Sequence, residues 1–187
     1  MMEENKKQKN KDGGLATEAF FWAQALAVSL VVLIIVNIFF FRMSGVMGGS
    51  MEPTLHETDR VLLRVIGYSE PQRGDIVVVS APQYKQGPLV KRIIAVGGDV
   101  IDIDAVTGEV YINGELQYEP YISELIRKRG DMDYPVTVPE GFVFFMGDNR
   151  NGSTDSRDSS IGMQPVSNII GKVFFRIWPL KDFGVVR

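Results

Sequence analysis

Leu89-Val90-Lys91-Arg92-Ile93-Ile94-Ala95-Val96 follows Gly87-Pro88 and is closed by Gly97-Gly98-Asp99, so a short β-branched run lies between turn residues. No 3.6-residue period survives in it, and it reads as a strand. Working outward, residues 59–66 and 75–79 before it read the same way, as do 100–104, 109–113, 115–118, 136–138, 142–146 and 171–178 after it. Asn113-Gly114 is a favoured two-residue hairpin turn between two of these runs. Residues 121–129 have the best helical spacing in this part of the chain, stop at Gly130, and read equally as a helix or as an irregular insertion. No repeat or low-complexity block interrupts the pattern. The expected fold class is mainly β, an antiparallel β-barrel or folded double sheet.

Lys91 is out of character with the strand that contains it. Alternation places Leu89, Lys91 and Ile93 on one face, so the ammonium leaves an apolar surface, and burial there disfavours the charged form. A lysine held near neutrality can accept the proton of a serine hydroxyl, whereas one in water stays cationic at pH 7. A strand lysine also serves simply to protect a sheet edge from aggregation.

The serine that would give this lysine a task is Ser50, in Gly48-Gly49-Ser50-Met51-Glu52-Pro53-Thr54-Leu55. Two glycines free the backbone and clear the approach to the hydroxyl, and Pro53 restricts the exit of the turn. Taken alone, the stretch is an ordinary surface turn. Together with Lys91 it reads as a nucleophile. A third polar cluster, Gly147-Asp148-Asn149-Arg150-Asn151-Gly152-Ser153-Thr154-Asp155-Ser156-Arg157, directly follows the apolar run 142–146. Asp and Arg at i and i+2 can form a charge-assisted pair that fixes such a loop, and Ser153 can donate to or orient a neighbouring amine.

From residue 19 to 41 almost every side chain is apolar, interrupted only by Gln24, Ser29 and Asn37, and a helix of that length rises roughly 30 Å or a little more. It is expected to be an uncleaved transmembrane anchor, since the apolar region of a cleavable signal is shorter, roughly 7–15 residues. Residues 1–18 form a lysine-bearing polar tail expected to be disordered and cytoplasmic, because Lys6, Lys7, Lys9 and Lys11 precede the anchor and few basic residues follow it closely. Residues 42–187 are then extracytoplasmic, with Ser50 a few residues from the membrane surface. An exposed apolar surface near Val46 and Met47 is expected to rest on lipid.

The 187 residues are 45% hydrophobic, enough for one domain with a core plus an appendage. A net charge of -3 shows no basic excess that would point to nucleic acid. The chain has no cysteine, which removes disulfides and thiol nucleophiles, and its single histidine leaves no basis for a metal cluster. No cofactor or metal is expected.

Four blocks in order, preceded by the anchor, resemble those of the bacterial type I signal peptidases, or leader peptidases, of the small single-anchor form typical of Gram-positive bacteria. They are Ser50-Met51-Glu52-Pro53-Thr54-Leu55, Arg73-Gly74-Asp75-Ile76-Val77-Val78, Lys91-Arg92-Ile93-Ile94-Ala95 and 147–157. The resemblance implies a membrane-bound serine endopeptidase of β-rich fold that uses a Ser/Lys dyad to remove signal peptides from exported preproteins, usually after small residues at the first and third positions before the cut. It makes Ser50 the nucleophile and Lys91 the general base. It further implies that Ser153 positions the lysine and that Asp155 and Arg157 brace the loop. Secreted preproteins and membrane lipid are the expected partners, with no nucleic acid.

Gram-negative relatives carry a hydroxyl residue where this chain has Gly48, so a side-chain oxyanion donor is missing. The Ser50 backbone N–H remains, and a backbone group near Gly48 or a water has to supply the second donor. His56 lies six positions after Ser50 with no acid partner fixed by the sequence, so a Ser-His triad is not expected. A self-cleaving Ser/Lys repressor-type protease would be soluble, which the anchor opposes. The remaining alternative is a non-catalytic membrane-tethered β-domain binding protein, which the presence of both Ser50 and Lys91 opposes.

Overall fold

The computed structural model describes residues 17–34, 41–84 and 87–186, and the chain divides into two compact units, Met1–Phe40 and Phe41–Arg187. In the first, Thr17–Ile34 form a helix long and apolar enough by length and composition to cross a membrane, with its side chains exposed along its length. The expected disordered tail falls outside the described residues up to residue 16, while Thr17 and Glu18 are helical. Residues 35–40 of the expected anchor also lie outside them. Phe41, expected as the last anchor residue, opens a strand instead.

Among the described residues the second unit contains twelve strands. They are β1 (Phe41–Gly45), β2 (Arg60–Arg64), β3 (Ile76–Val79), β4 (Leu89–Val96), β5 (Val100–Ile103), β6 (Val110–Ile112), β7 (Glu115–Leu116), β8 (Val136–Thr137), β9 (Phe142–Met146), β10 (Gln164–Pro165), β11 (Ile169–Trp178) and β12 (Gly184–Val185). Every pairing is antiparallel. The larger sheet runs β1-β2-β11-β3-β4-β9-β10 with β12 against β11, and a smaller sheet runs β7-β6-β5-β8. The mainly β reading of the sequence therefore holds, and β4 and β9 have the bounds read from the sequence. Residues 121–129 contain neither helix nor strand.

Periodicity explains how one large sheet supports several cores. Along β3, Ile76 and Val78 enter one apolar cluster with Met51, Leu55, Val61 and Leu63, while Val77 and Val79 enter another with Leu89, Ile93, Val143 and Phe145. β9 alternates likewise, since Phe144 and Met146 pack with Ile94, Ile101, Ile103 and Ile112 of a third cluster. A strand covered on both faces is largely apolar, which is why β3 and β9 read as continuous runs and β4 as a run broken only by Lys91 and Arg92. Each fully buried Ile, Met or Phe here contributes roughly 1.5–3 kcal/mol. Val46 belongs to this interior at 4% exposure, whereas Met47 is 74% exposed. Val46 does not contribute to the expected apolar surface, because its N–H bonds the Asp59 carbonyl and its side chain faces the core, while Met47 and Met43 are exposed.

Candidate active site

The link between β1 and β2 contains Ser50. Its mouth is closed by the Val46 N–H on the Asp59 carbonyl at 2.9 Å and the Thr58 N–H on the Val46 carbonyl at 3.3 Å. Met51 and Leu55, both fully buried, anchor the turn from beneath, and Gly48 takes a left-handed φ of 74° that a side chain would strain. Ser50 is left half-buried on the outer side.

Lys91 lies on β4 opposite Val77, is 2% exposed, and brings Nζ to 2.7 Å from Ser50 Oγ. Nζ donates to the Val90 carbonyl at 3.0 Å. Burial pulls the Lys91 pKa down to about 8; Asp155 opposes the shift and Arg157 adds to it. An amine near neutrality beside a hydroxyl can take that hydroxyl's proton. No hydrogen bond to the Ser50 N–H occurs among the described residues, so this N–H is free to meet an oxyanion.

After β9 the chain turns through 147–157 against the serine. A Cβ on Gly147 would collide with the Ser50 carbonyl and with Ser153 Oγ, so only glycine lets the loop pass so close. The Asn149 N–H donates to the Ser50 carbonyl at 3.1 Å, and Asn149 Nδ2 to the Gly49 carbonyl at 3.0 Å. Asp148 is buried and accepts both Nε and Nη2 of Arg92, at 2.8 and 2.7 Å, and the Thr54 hydroxyl at 2.5 Å. Residues next to Lys91, just after Ser50 and within the final loop therefore meet on one carboxylate.

Asp155 and Arg157 form a buried bidentate pair, both contacts 2.8 Å, and Asp155 also accepts the Gly147 N–H at 3.0 Å. Ser153 Oγ is buried without a hydrogen-bond partner, so the structure does not bond it to Lys91. Of the two Asp and Arg pairs at i and i+2, only Asp155–Arg157 forms, for Arg150 binds Glu119 instead. His56 is exposed, and its backbone N–H bonds Asp59. The sequence motifs contain Thr54, Arg92 and Asn149 without marking a task for them, and they suggest Arg150 rather than Arg92 as the partner of Asp148. The signal available was an arginine in the middle of an apolar strand, which requires a buried carboxylate partner.

Ser50 and Lys91 open on a cleft of about 590 Å³, lined by Ser44, Gly45, Met47, Tyr84, Leu89 and Val90 among others. β1 is an edge strand, and β9 pairs with β4 only from Arg92 onward, so among the described residues main-chain groups on both sides of the cleft lack a strand neighbour. A mainly β domain thus places a hydroxyl and a desolvated amine side by side at the foot of a cleft.

The family follows from comparison with known proteins. Residues 19–178 match the family described as signal peptidase, peptidase S26, and the chain belongs to it. It is 36% identical to signal peptidase IB of Staphylococcus aureus strain Mu50, over 89% of this chain and 93% of that one. It is 35% identical to signal peptidase I of Bacillus licheniformis, over 94% and 95%. A crystal structure of a signal peptidase I from Enterococcus faecalis V583 is 28% identical, covering 56% of this chain and 97% of that one, with a TM-score of 0.46. The protein is a serine endopeptidase that removes signal peptides from secreted preproteins, and its apolar N-terminal helix suits a membrane anchor.

Proposed function

We propose that Ser50 is the nucleophile and that Lys91, in its neutral form, is the general base. The observation that carries this reading is the 2.7 Å approach of a buried amine to Ser50 Oγ. Lys91 Nζ takes the hydroxyl proton as Oγ attacks the scissile carbonyl, and the Ser50 N–H stabilises the oxyanion. The second donor is a group near Gly48 or a water. The lysine then gives its proton to the leaving amine, leaving an acyl-enzyme on Ser50. A water that loses its proton to the same amine resolves this ester and frees the serine. Ser153, whose buried hydroxyl is otherwise without a partner, steadies the amine as it reorients, and Asp155 with Arg157 supports the loop.

The substrate is read as an extended preprotein segment lying between β1 and the start of β4, its main chain bonding both and alternate side chains entering the cleft. Shallow pockets suit small residues at the first and third positions before the cut. Preproteins with leucine at both positions are expected to be cleaved at least 10-fold slower in kcat/KM than those with alanine, by competition assay. Equal rates would remove the pocket reading. The remaining boundaries follow the same proposal: residues 1–18 cytoplasmic, 19–41 containing the membrane span, and 42–187 outside, with lipid close to the exposed Met47. Protease added to wall-stripped cells is expected to digest the β domain and spare the lysine-bearing tail, and the opposite pattern would reverse the topology.

A further inference from the structure

Between β7 and β8, residues 119–131 run as a strap along the whole of the 147–159 loop. Glu119 binds Arg150 through both carboxylate oxygens, at 2.6 and 2.7 Å, with the Arg150 side chain fully buried and that of Glu119 at 7% exposure. The Tyr121 hydroxyl donates to Glu119 at 2.8 Å, and its ring packs against the Arg92 guanidinium at 3.9 Å and that of Arg150 at 5.9 Å. Further along, Asn151 accepts the Arg127 N–H at 2.8 Å and donates to the Leu125 carbonyl at 3.1 Å. The Asp131 N–H and Arg157 carbonyl meet at 3.2 Å, and a Cβ on Gly130 would collide with that carbonyl.

The charges in this layer balance only as a set of four. Arg92 and Arg150 flank one aromatic ring, and each takes its own carboxylate, Asp148 and Glu119. Both Asp148 oxygens are already engaged, Oδ1 by Arg92 and Oδ2 by Arg92 and Thr54, so a bidentate pair with Arg150 could form there only at their expense. Without the Glu119 charge, Arg150 is left buried and uncompensated, with Asp148 the nearest carboxylate in sequence. Competition for Asp148 would displace Asn149, which sits between the two and holds the Ser50 carbonyl.

We propose that Glu119, aided by Tyr121, is a positioning residue for signal-peptide cleavage: by neutralising Arg150 it leaves Asp148 to Arg92 and Thr54, and so keeps Asn149 locked on the turn that carries Ser50. The proposal rests on Ser50 being the nucleophile. Its action is on geometry at the reacting atom, so it affects turnover rather than substrate capture.

The test uses full-length enzyme in detergent cleaving a preprotein, with kcat and KM measured well below the thermal midpoint of each variant. Glu119→Gln is expected to lower kcat by about 10- to 100-fold while KM stays within about twofold. Adding Arg150→Met, which removes the stranded charge, is expected to recover most of that loss. If Glu119→Gln does not fold, Tyr121→Leu removes the shared ring without changing charge and is expected to lower kcat with KM unchanged. Parental kcat in the folded Glu119→Gln protein, or in Tyr121→Leu where that variant decides, overturns the proposal, as does a double variant no faster than the single one. Ser50→Ala run in parallel separates the two readings: activity retained there removes the nucleophile assignment, whereas activity lost there and kept in Glu119→Gln removes only the role of the strap.

Discussion

Ser50→Ala is expected to end preprotein cleavage while the protein folds and inserts as before. Only the hydroxyl is removed, and among the described residues its one hydrogen-bond contact is with Lys91 Nζ. What holds the turn in place is independent of it: Met51 and Leu55 in the core, and Asn149 on the carbonyls of Ser50 and Gly49. Loss of one hydrogen bond from a half-buried serine costs about 1 kcal/mol of stability. Loss of a covalent nucleophile is much larger, on the order of a millionfold in kcat where such residues have been removed from serine peptidases. The measurement is single-turnover cleavage by the variant, with thermal unfolding as a control on the fold. Turnover near the parental rate would show that another group attacks the scissile carbonyl, and the proposed mechanism would fall with it.

The contrast between Ser50 and Thr54 shows which parts of the site were legible in advance. Lys91 stands out as an amine in an apolar strand, and Ser50, after two glycines and before Pro53, gains its reading from that lysine. Thr54 and Glu119 act through partners 94 and 31 positions away, and nothing local marks them. The fold divides in the same way. β4 and β9 are covered on both faces, so their composition alone reveals them, whereas β1 needs β2 beside it, and only its first residue, Phe41, reads as the end of the apolar segment. Residues 121–129 have helical spacing but no helix, because their backbone groups are taken by distant partners. Arg127 N–H and the Leu125 carbonyl bond Asn151, and the Ile126 N–H bonds the Gly108 carbonyl while its side chain enters the core. Tertiary bonds here replace those of a helix, and local propensity, worth tenths of a kcal/mol per residue, cannot compete with them.

Lys91→Arg is expected to abolish cleavage as completely as loss of the serine, for a different reason. A guanidinium keeps the positive charge and much of the reach but does not deprotonate at working pH, so it can fill the place of a structural cation and not that of a base. Lys91→Met, of similar length and apolar, tests whether the fold needs the charge at all. The parent enzyme carries the complementary signature. With the Lys91 pKa near 8 rather than its ordinary 10.5, about one molecule in ten has a neutral amine at pH 7, against about one in 3,000 for an unperturbed lysine. Because the neutral form is the active one, kcat/KM is expected to fall tenfold per pH unit on the acid side and to level off above about pH 8. The checks are a pH profile of the parent and the single-turnover rate of each variant. An arginine variant that cleaves at the parental rate, or a parental profile flat from pH 6 to about 9, would make Lys91 a structural cation and leave Ser50 without a base.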